Sequence, residues 1–127
     1  MNKKLQSKLY KKYPDLFKQH ALSPDKTCMC WGIDCDDGWY DLLDILCGYI
    51  VSNDKNIEAV QIKQKFGGLR FYVNYSNDDI DRAISIAESL SYKICEKCGS
   101  YVDKVKTVPY NGWIQSLCNK CRREKKS

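Results

Sequence analysis

Cys95-Glu96-Lys97-Cys98-Gly99 and Cys118-Asn119-Lys120-Cys121, with nineteen residues between Cys98 and Cys118, are two Cys-x2-Cys knuckles in one chain. Knuckles at this separation supply four soft sulfur ligands that can converge tetrahedrally on one Zn²⁺, with room between them for a short hairpin. Gly99 gives the first knuckle a residue that turns through positive φ without steric cost. A pair of disulfides or four idle thiols are the alternatives, and both are weaker because nothing in the chain points to an oxidising compartment. The spacing therefore predicts a structural zinc ribbon with Cys95, Cys98, Cys118 and Cys121 as ligands to a single Zn²⁺. A closed four-sulfur site has no open position for water or substrate. It holds a fold together and does no chemistry itself.

The ribbon does not have to carry the whole protein. A chain of 127 residues can bury roughly two-thirds of its unfolded surface, so the ribbon is read as a flank of a larger core. With 43% hydrophobic and 29% charged residues, the balance is that of a globular domain and argues against a disordered chain. The lysine-rich start, Met1 to Lys8, is followed by no apolar signal-peptide core, and no run is long enough to cross a bilayer. The expectation is a cytoplasmic protein with no membrane partner, its eight cysteines reduced or metal-bound.

The formal charge of +5 is unevenly placed. Residues 1–27 carry seven lysines against two acids, residues 28–58 seven acids against one lysine, and residues 95–127 eight bases against three acids. Four thiolates on one Zn²⁺ add a net −2 and trim the total to about +3. Charge alone therefore does not argue for nucleic-acid binding.

Along the chain, residues 2–13 read as an amphipathic helix stopped by Pro14, with Leu5, Leu9 and Tyr13 on one side. Cys28, Cys30 and Cys35 could join Cys47 in a second metal site, but the spacing is no standard knuckle and buried thiols are the better reading. A helix follows from about Trp39 to Ser52, with Asp36 or Asp37 as its N-cap. Residues 57–75 read as a hairpin turning at Gly67-Gly68, so that Phe66 faces Leu69, Gln64 faces Phe71 and Ile62 faces Val73. The other face then pairs Lys65 with Arg70 and Lys63 with Tyr72. Such a cationic patch needs an anion, either the acidic 34–44 segment or an external ligand. Ser76 to Asp79 opens a further helix with Ile80, Ala83, Ile84, Ala87 and Leu90 inward. Between the knuckles, Tyr101-Val102 with Lys104 to Val108, a turn at residues 109–112, and Trp113 to Leu117 read as a hairpin. The fold class is α+β: a core over residues 1–94, the ribbon over 95–121 integrated with it, and a basic tail over 122–127.

Asp37-Gly38-Trp39-Tyr40, Lys65-Phe66-Gly67-Gly68-Leu69-Arg70-Phe71-Tyr72, Cys95-x2-Cys98-Gly99 and Gly112-Trp113-Ile114 with Leu117-Cys118 follow one another in this chain. Together they resemble a group of small, uncharacterised bacteriophage and prophage proteins. In that group an acid-Gly-Trp helix start, a Lys-(Tyr/Phe)-Gly-Gly-Leu-Arg-Phe hairpin and a C-terminal zinc-binding-type segment occur in the same order. The resemblance spans roughly residues 28 to 121. It implies a viral origin and action in a bacterial cytoplasm, and it carries no activity.

Catalysis has little support, because there is one histidine, no phosphate-cradling loop at a helix start, and only Asp36, Asp37, Lys63 and Arg70 as candidate groups. A noncatalytic binding role explains more. A host or phage protein, including a bacterial defence component, would meet Lys63, Lys65, Arg70 and Tyr72, and a nucleotide messenger suits the same groups. The nucleic-acid alternative rests on Lys104, Lys106, Tyr110, Trp113, Arg122 and Arg123, where rings that stack on bases alternate with cations that hold phosphates.

Overall fold

The computed structural model describes residues 1–110 and 112–125, Tyr110 and Lys125 by their backbone alone. Its elements in order are α1 (Lys3–Lys12), β1 (Ile33–Asp34), α2 (Tyr40–Asn53), β2 (Ala59–Lys65), β3 (Gly68–Val73), α3 (Asp78–Ser91), β4 (Lys106–Tyr110), β5 (Trp113–Leu117) and α4 (Asn119–Lys125). The protein is α+β, with helices packed on a small sheet and four cysteines gathered at the C-terminal end.

The main sheet has the order β1-β2-β3, β1 running parallel to β2 and β2 antiparallel to β3. The two-residue β1 lies in a stretch that reads as irregular, because two residues carry no periodicity. Ile33, Ile62, Leu69 and Phe71 form the buried face with Trp39, with Leu43, Leu46, Cys47 and Ile50 of α2, and with Ile80 and Ala87 of α3. Leu9, Tyr13, Leu16 and Phe17 complete this core from α1 and the turn after it. Helix α3 also closes the outer edge of β3. The Leu69 N–H donates to Ser91 Oγ at 2.9 Å and the Phe71 N–H to Glu88 Oε2 at 3.0 Å, so two edge amides are closed to further strands.

The hairpin turns one residue earlier than the sequence reading. Its tip is Phe66-Gly67, with φ of 54° and 87°, so Lys65 pairs with Gly68, Lys63 with Arg70 and Ile62 with Phe71. From Gln61 to Lys65 the slip shifts each partner by two, so both faces keep their residues there; a bulge between Ala59 and Gln61 then pairs Ala59 with Val73 and turns Ala59 into the core. Arg70 now lies across from Lys63, and Tyr72 across from Gln61. The reason is packing: a Cβ on Gly68 would lie 2.8 Å from Tyr92 Cε2 and still closer to the end of that ring. Gly68 serves a close approach and Gly67 serves the turn.

Neither Asp36 nor Asp37 caps α2, which instead follows a 3-10 turn over Asp37–Trp39. The Asp37 carboxylate accepts from the Asn2 backbone N–H and side-chain amide, both at 2.8 Å, and so ties α1 to this turn. Asn77 caps α3, its Oδ1 accepting from the Ile80 N–H at 3.0 Å. His20 stacks on Tyr10, ring centroids 4.4 Å apart.

Asp44 fastens α2 to α1: Tyr13 Oη lies 2.6 Å from its Oδ1, and Lys12 Nζ is 3.0 Å from the carboxylate. The Tyr13 hydroxyl first, then Lys12, holds the Asp44 carboxyl below its ordinary range. A depressed folded-state pKa contributes stability above the unfolded value of about 3.9 and loses it as pH falls through the folded one. Asp44→Asn is expected to cost about 1 kcal/mol at neutral pH. The gap should close as urea melts are taken below about pH 4, and a gap that stays constant with pH would contradict this assignment.

Candidate metal centre

Helix α3 ends at Ser91 and delivers the chain to the first knuckle. There the Gly99 N–H donates to the Cys95 carbonyl at 2.9 Å and the Cys95 N–H to the Ser100 carbonyl at 2.8 Å, with Gly99 at φ 82°. The second knuckle enters α4. The Cys121 N–H points at Cys118 Sγ, 3.4 Å away, and the Asp103 carboxylate accepts from the Lys120 N–H at 3.1 Å. With these contacts residues 119–125 are helical, so α4 reaches into the stretch from residue 122 that reads only as a basic tail.

All four sulfurs lie within 4.8 Å of one another, and Cys98 Sγ is 3.6 Å from Cys118 Sγ. Four sulfurs around one tetrahedral ion at about 2.3 Å are about 3.8 Å apart, so Cys95, Cys98, Cys118 and Cys121 fit a single metal ion. Three of the four are buried, and Cys98 is exposed. Burial pushes the Cys95 thiol up, but N–H groups of Cys118, Cys98 and Lys97 outweigh it and bring it down to about 7. Beneath the site is a small core of Leu117 with Val105 and Val108. No other group of three or more potential ligands converges among the described residues. Cys35 and Cys47 are buried, with thiols pushed up by desolvation, whereas Cys30 is half-buried and Cys28 exposed, so the buried-thiol reading holds for two of the four.

The knuckle does not hang off the core. Gly38 lies against its backbone so closely that a Cβ would sit 2.6 Å from the Glu96 carbonyl carbon and deep inside both the Cys95 and Glu96 oxygens. The Gly38 N–H donates to the Glu96 carbonyl at 2.7 Å, the Glu96 N–H to the Ser116 carbonyl at 2.9 Å, and Trp39 Nε1 to the Ile94 carbonyl at 3.0 Å. Glu96, flanked by a ligand and a lysine, is 2% exposed. Its carboxylate accepts from the Asp36 N–H at 3.1 Å, Gln64 Nε2 at 3.2 Å and Gln115 Nε2 at 3.3 Å. Burial raises its pKa. The β2–β3 tip docks on the ribbon in the same way: Ser116 Oγ donates to the Gly67 carbonyl at 2.7 Å, and a Cβ on Gly67 would lie 2.5 Å from Thr107 Cγ2. The acid-Gly-Trp and Lys-Phe-Gly-Gly motifs are therefore the two halves of a ribbon-binding seam. Sequence reading misses Glu96, Gln64 and Gln115. The signal that could have revealed them is the coincidence of Gly38 and Gly67 with a ribbon that must dock somewhere.

The other singled-out residues fall in two places. Lys63, Lys65, Arg70 and Tyr72 lie on the sheet face away from the core, Lys63 and Arg70 half-buried, Lys65 and Tyr72 exposed. Asp34 lies beside Lys63 in the sheet, yet none of the three ion pairs among the described residues involves these cations. Arg70 bonds the Tyr92 hydroxyl at 3.3 Å, and the Lys65 ammonium sits 5.8 Å from the Phe66 ring centroid. In the ribbon, Lys104, Lys106 and Arg123 are exposed. Strand β4 starts at Lys106, and Tyr101 and Val102 lie outside it and exposed. Arg122 is used internally, donating to the carbonyls of Lys104 at 3.0 Å and Leu117 at 2.5 Å and to Asn119 Oδ1 at 2.6 Å, which removes it from the phosphate-contact set. Trp113 is 70% exposed. The side chain of Tyr110 and the turn residue Asn111 lie outside the described residues.

No helix among the described residues is long and apolar enough to cross a membrane. No family model, curated protein or solved structure matches this chain.

Proposed function

We propose that this is a noncatalytic zinc-binding protein of a bacteriophage or prophage, which acts in the bacterial cytoplasm by binding a host or viral macromolecule through the open face of its sheet. The ion is read as Zn²⁺ because four thiolates in a closed tetrahedral set suit it, and it would supply rigidity and no reaction step. One observation carries the binding reading: Lys63 and Arg70 face each other across β2 and β3, and among the described residues no carboxylate forms an ion pair with either, Glu88 acting on Arg70 only at longer range. Like charges opposed on a sheet cost stability unless an anion answers them, and beside Tyr72 they suit an acidic protein surface. A protein is the favoured partner, and a component of a bacterial defence system fits the implied origin. The side chains of Asp36, Asp37 and Arg70, three of the four candidate catalytic groups, are engaged by Gln115, Asn2 and Tyr92, which supports the noncatalytic reading.

The test compares captures from bacterial lysate by the wild type, by Lys63→Glu/Lys65→Glu and by Lys104→Glu/Arg123→Glu. The expected result is a nuclease-resistant protein partner lost only with the sheet-face pair and modestly sensitive to salt. Loss with the ribbon pair, nuclease sensitivity and a steep salt slope would replace this reading with the nucleic-acid one, for which the exposed Trp113 is the supporting observation. A nucleotide retained by the wild type and lost from the sheet-face pair would identify a messenger-binding protein.

A further inference from the structure

Helices α2 and α3 pack side by side and leave an open groove of about 430 Å³ on their outer side, lined mainly by apolar residues. Ile45, Tyr49, Ile86 and Leu90 line it at 73%, 42%, 61% and 44% exposure, four large apolar side chains open to solvent on one groove. Neither the metal centre nor the cationic face uses it. Patches of this kind on small proteins mark association surfaces.

The charge pattern selects the occupant. Along the outer ridge of α3 and just past its end run Asp79, Arg82, Ile86, Leu90 and Lys93, spaced three, four, four and three. The stripe starts acidic, with Asp78, Asp79 and Asp81 in the first turn, and ends at Lys93. It is complementary to itself when inverted. A two-fold axis through Ile86 sets Asp79 of each copy opposite Lys93 of the other and lays Leu90 along the aliphatic stem of Arg82. It also opposes the two helix dipoles. Ser85 and Ser89, which border Ile86 and Leu90 on the flank away from α2, let the second α3 come close. We infer that this face is the interface of an antiparallel homodimer, the two Ile86 side chains meeting on the axis at the rim of the α2–α3 grooves.

Two helices of 14 residues present a slab about 21 Å long and about 20 Å wide. That is about 420 Å² per copy, below the range of stable interfaces and within that of weak, transient ones, so the dimer is expected to form only at about 100 µM or above. The test is sedimentation equilibrium of the full-length, metal-loaded protein from about 5 to about 500 µM. The wild type should pass from monomer to dimer, and Ile86→Glu should stay monomeric with unchanged circular dichroism and metal content. Asp79→Lys and Lys93→Asp should each weaken association about tenfold, and the double exchange should restore it, because the reversed pair meets itself across the axis. Double-exchange rescue also decides the matter should Ile86→Glu fold poorly. A wild type that stays monomeric to the highest concentration, or a dimer indifferent to both Ile86→Glu and the exchange, would overturn the assignment.

Discussion

Gly38→Ala is expected to lower stability by about 3 kcal/mol or more and to loosen the metal centre, although residue 38 is no ligand. The added carbon would occupy the position of the Cys95 and Glu96 carbonyl oxygens, which are backbone and cannot rotate away. The knuckle would have to retreat, and with it the Gly38 to Glu96 hydrogen bond and the Glu96 network. Gly112→Ala is the comparison: its φ is 84°, but nothing lies within 4 Å of a Cβ there, so only conformational strain of about 1 kcal/mol applies. Urea melts with a metal-release assay would separate the two. Equal costs would mean that the Gly38 seam yields without resistance.

Removing the metal is expected to produce the other large effect, and an uneven one. The ribbon core consists of little more than Leu117, Val105, Val108 and the sulfurs, whereas the α+β core has its own apolar cluster from Leu9 to Ala87. Chelation, or Cys118→Ser, should therefore abolish hydrogen-exchange protection across residues 95–121 while α2 and β2 stay protected. Protection in the β2–β3 tip should fall too, since Gly67 and Gln64 lose Ser116 and Ile114 as partners. Uniform loss across the whole chain would mean that core and ribbon are one cooperative unit, and no loss would mean that the metal is dispensable.

What was legible in the sequence follows from how local each signal is. The knuckles carry their spacing with them, and α2 and α3 show their stripes within a few turns, save for Leu90, which reads as inward but is 44% exposed. The hairpin's faces were legible because they depend on period two, but its register was not. Two adjacent glycines offer two turns, and only Tyr92, twenty-four residues on, decides that Gly68 belongs to the strand. Glu96 is the harder case. A glutamate between a cysteine and a lysine reads as solvent-facing, and its burial depends on Asp36, Gln64 and Gln115, separated from it by 60, 32 and 19 positions. The capping expectation for Asp36 and Asp37 failed for a related reason: both carboxylates accept from partners outside their own helix, that of Asp36 from Gln115 and that of Asp37 from Asn2.

The seam between Asp36 and Glu96 also fixes an order of events during synthesis. The Asp36 to Glu96 bond spans 60 positions and the Gln115 to Asp36 bond 79, so the turn before α2 is made long before the chain that covers it. At about 5–20 residues per second, a ribosome takes about 3–12 s to travel from the first partner to the second. Throughout that interval Trp39 lacks its carbonyl partner at Ile94, and the backbone at Gly38 has nothing to lie against. The nascent protein thus keeps an unfinished edge until residues 94–96 emerge, and the knuckle closes the seam after the turn it covers has been built.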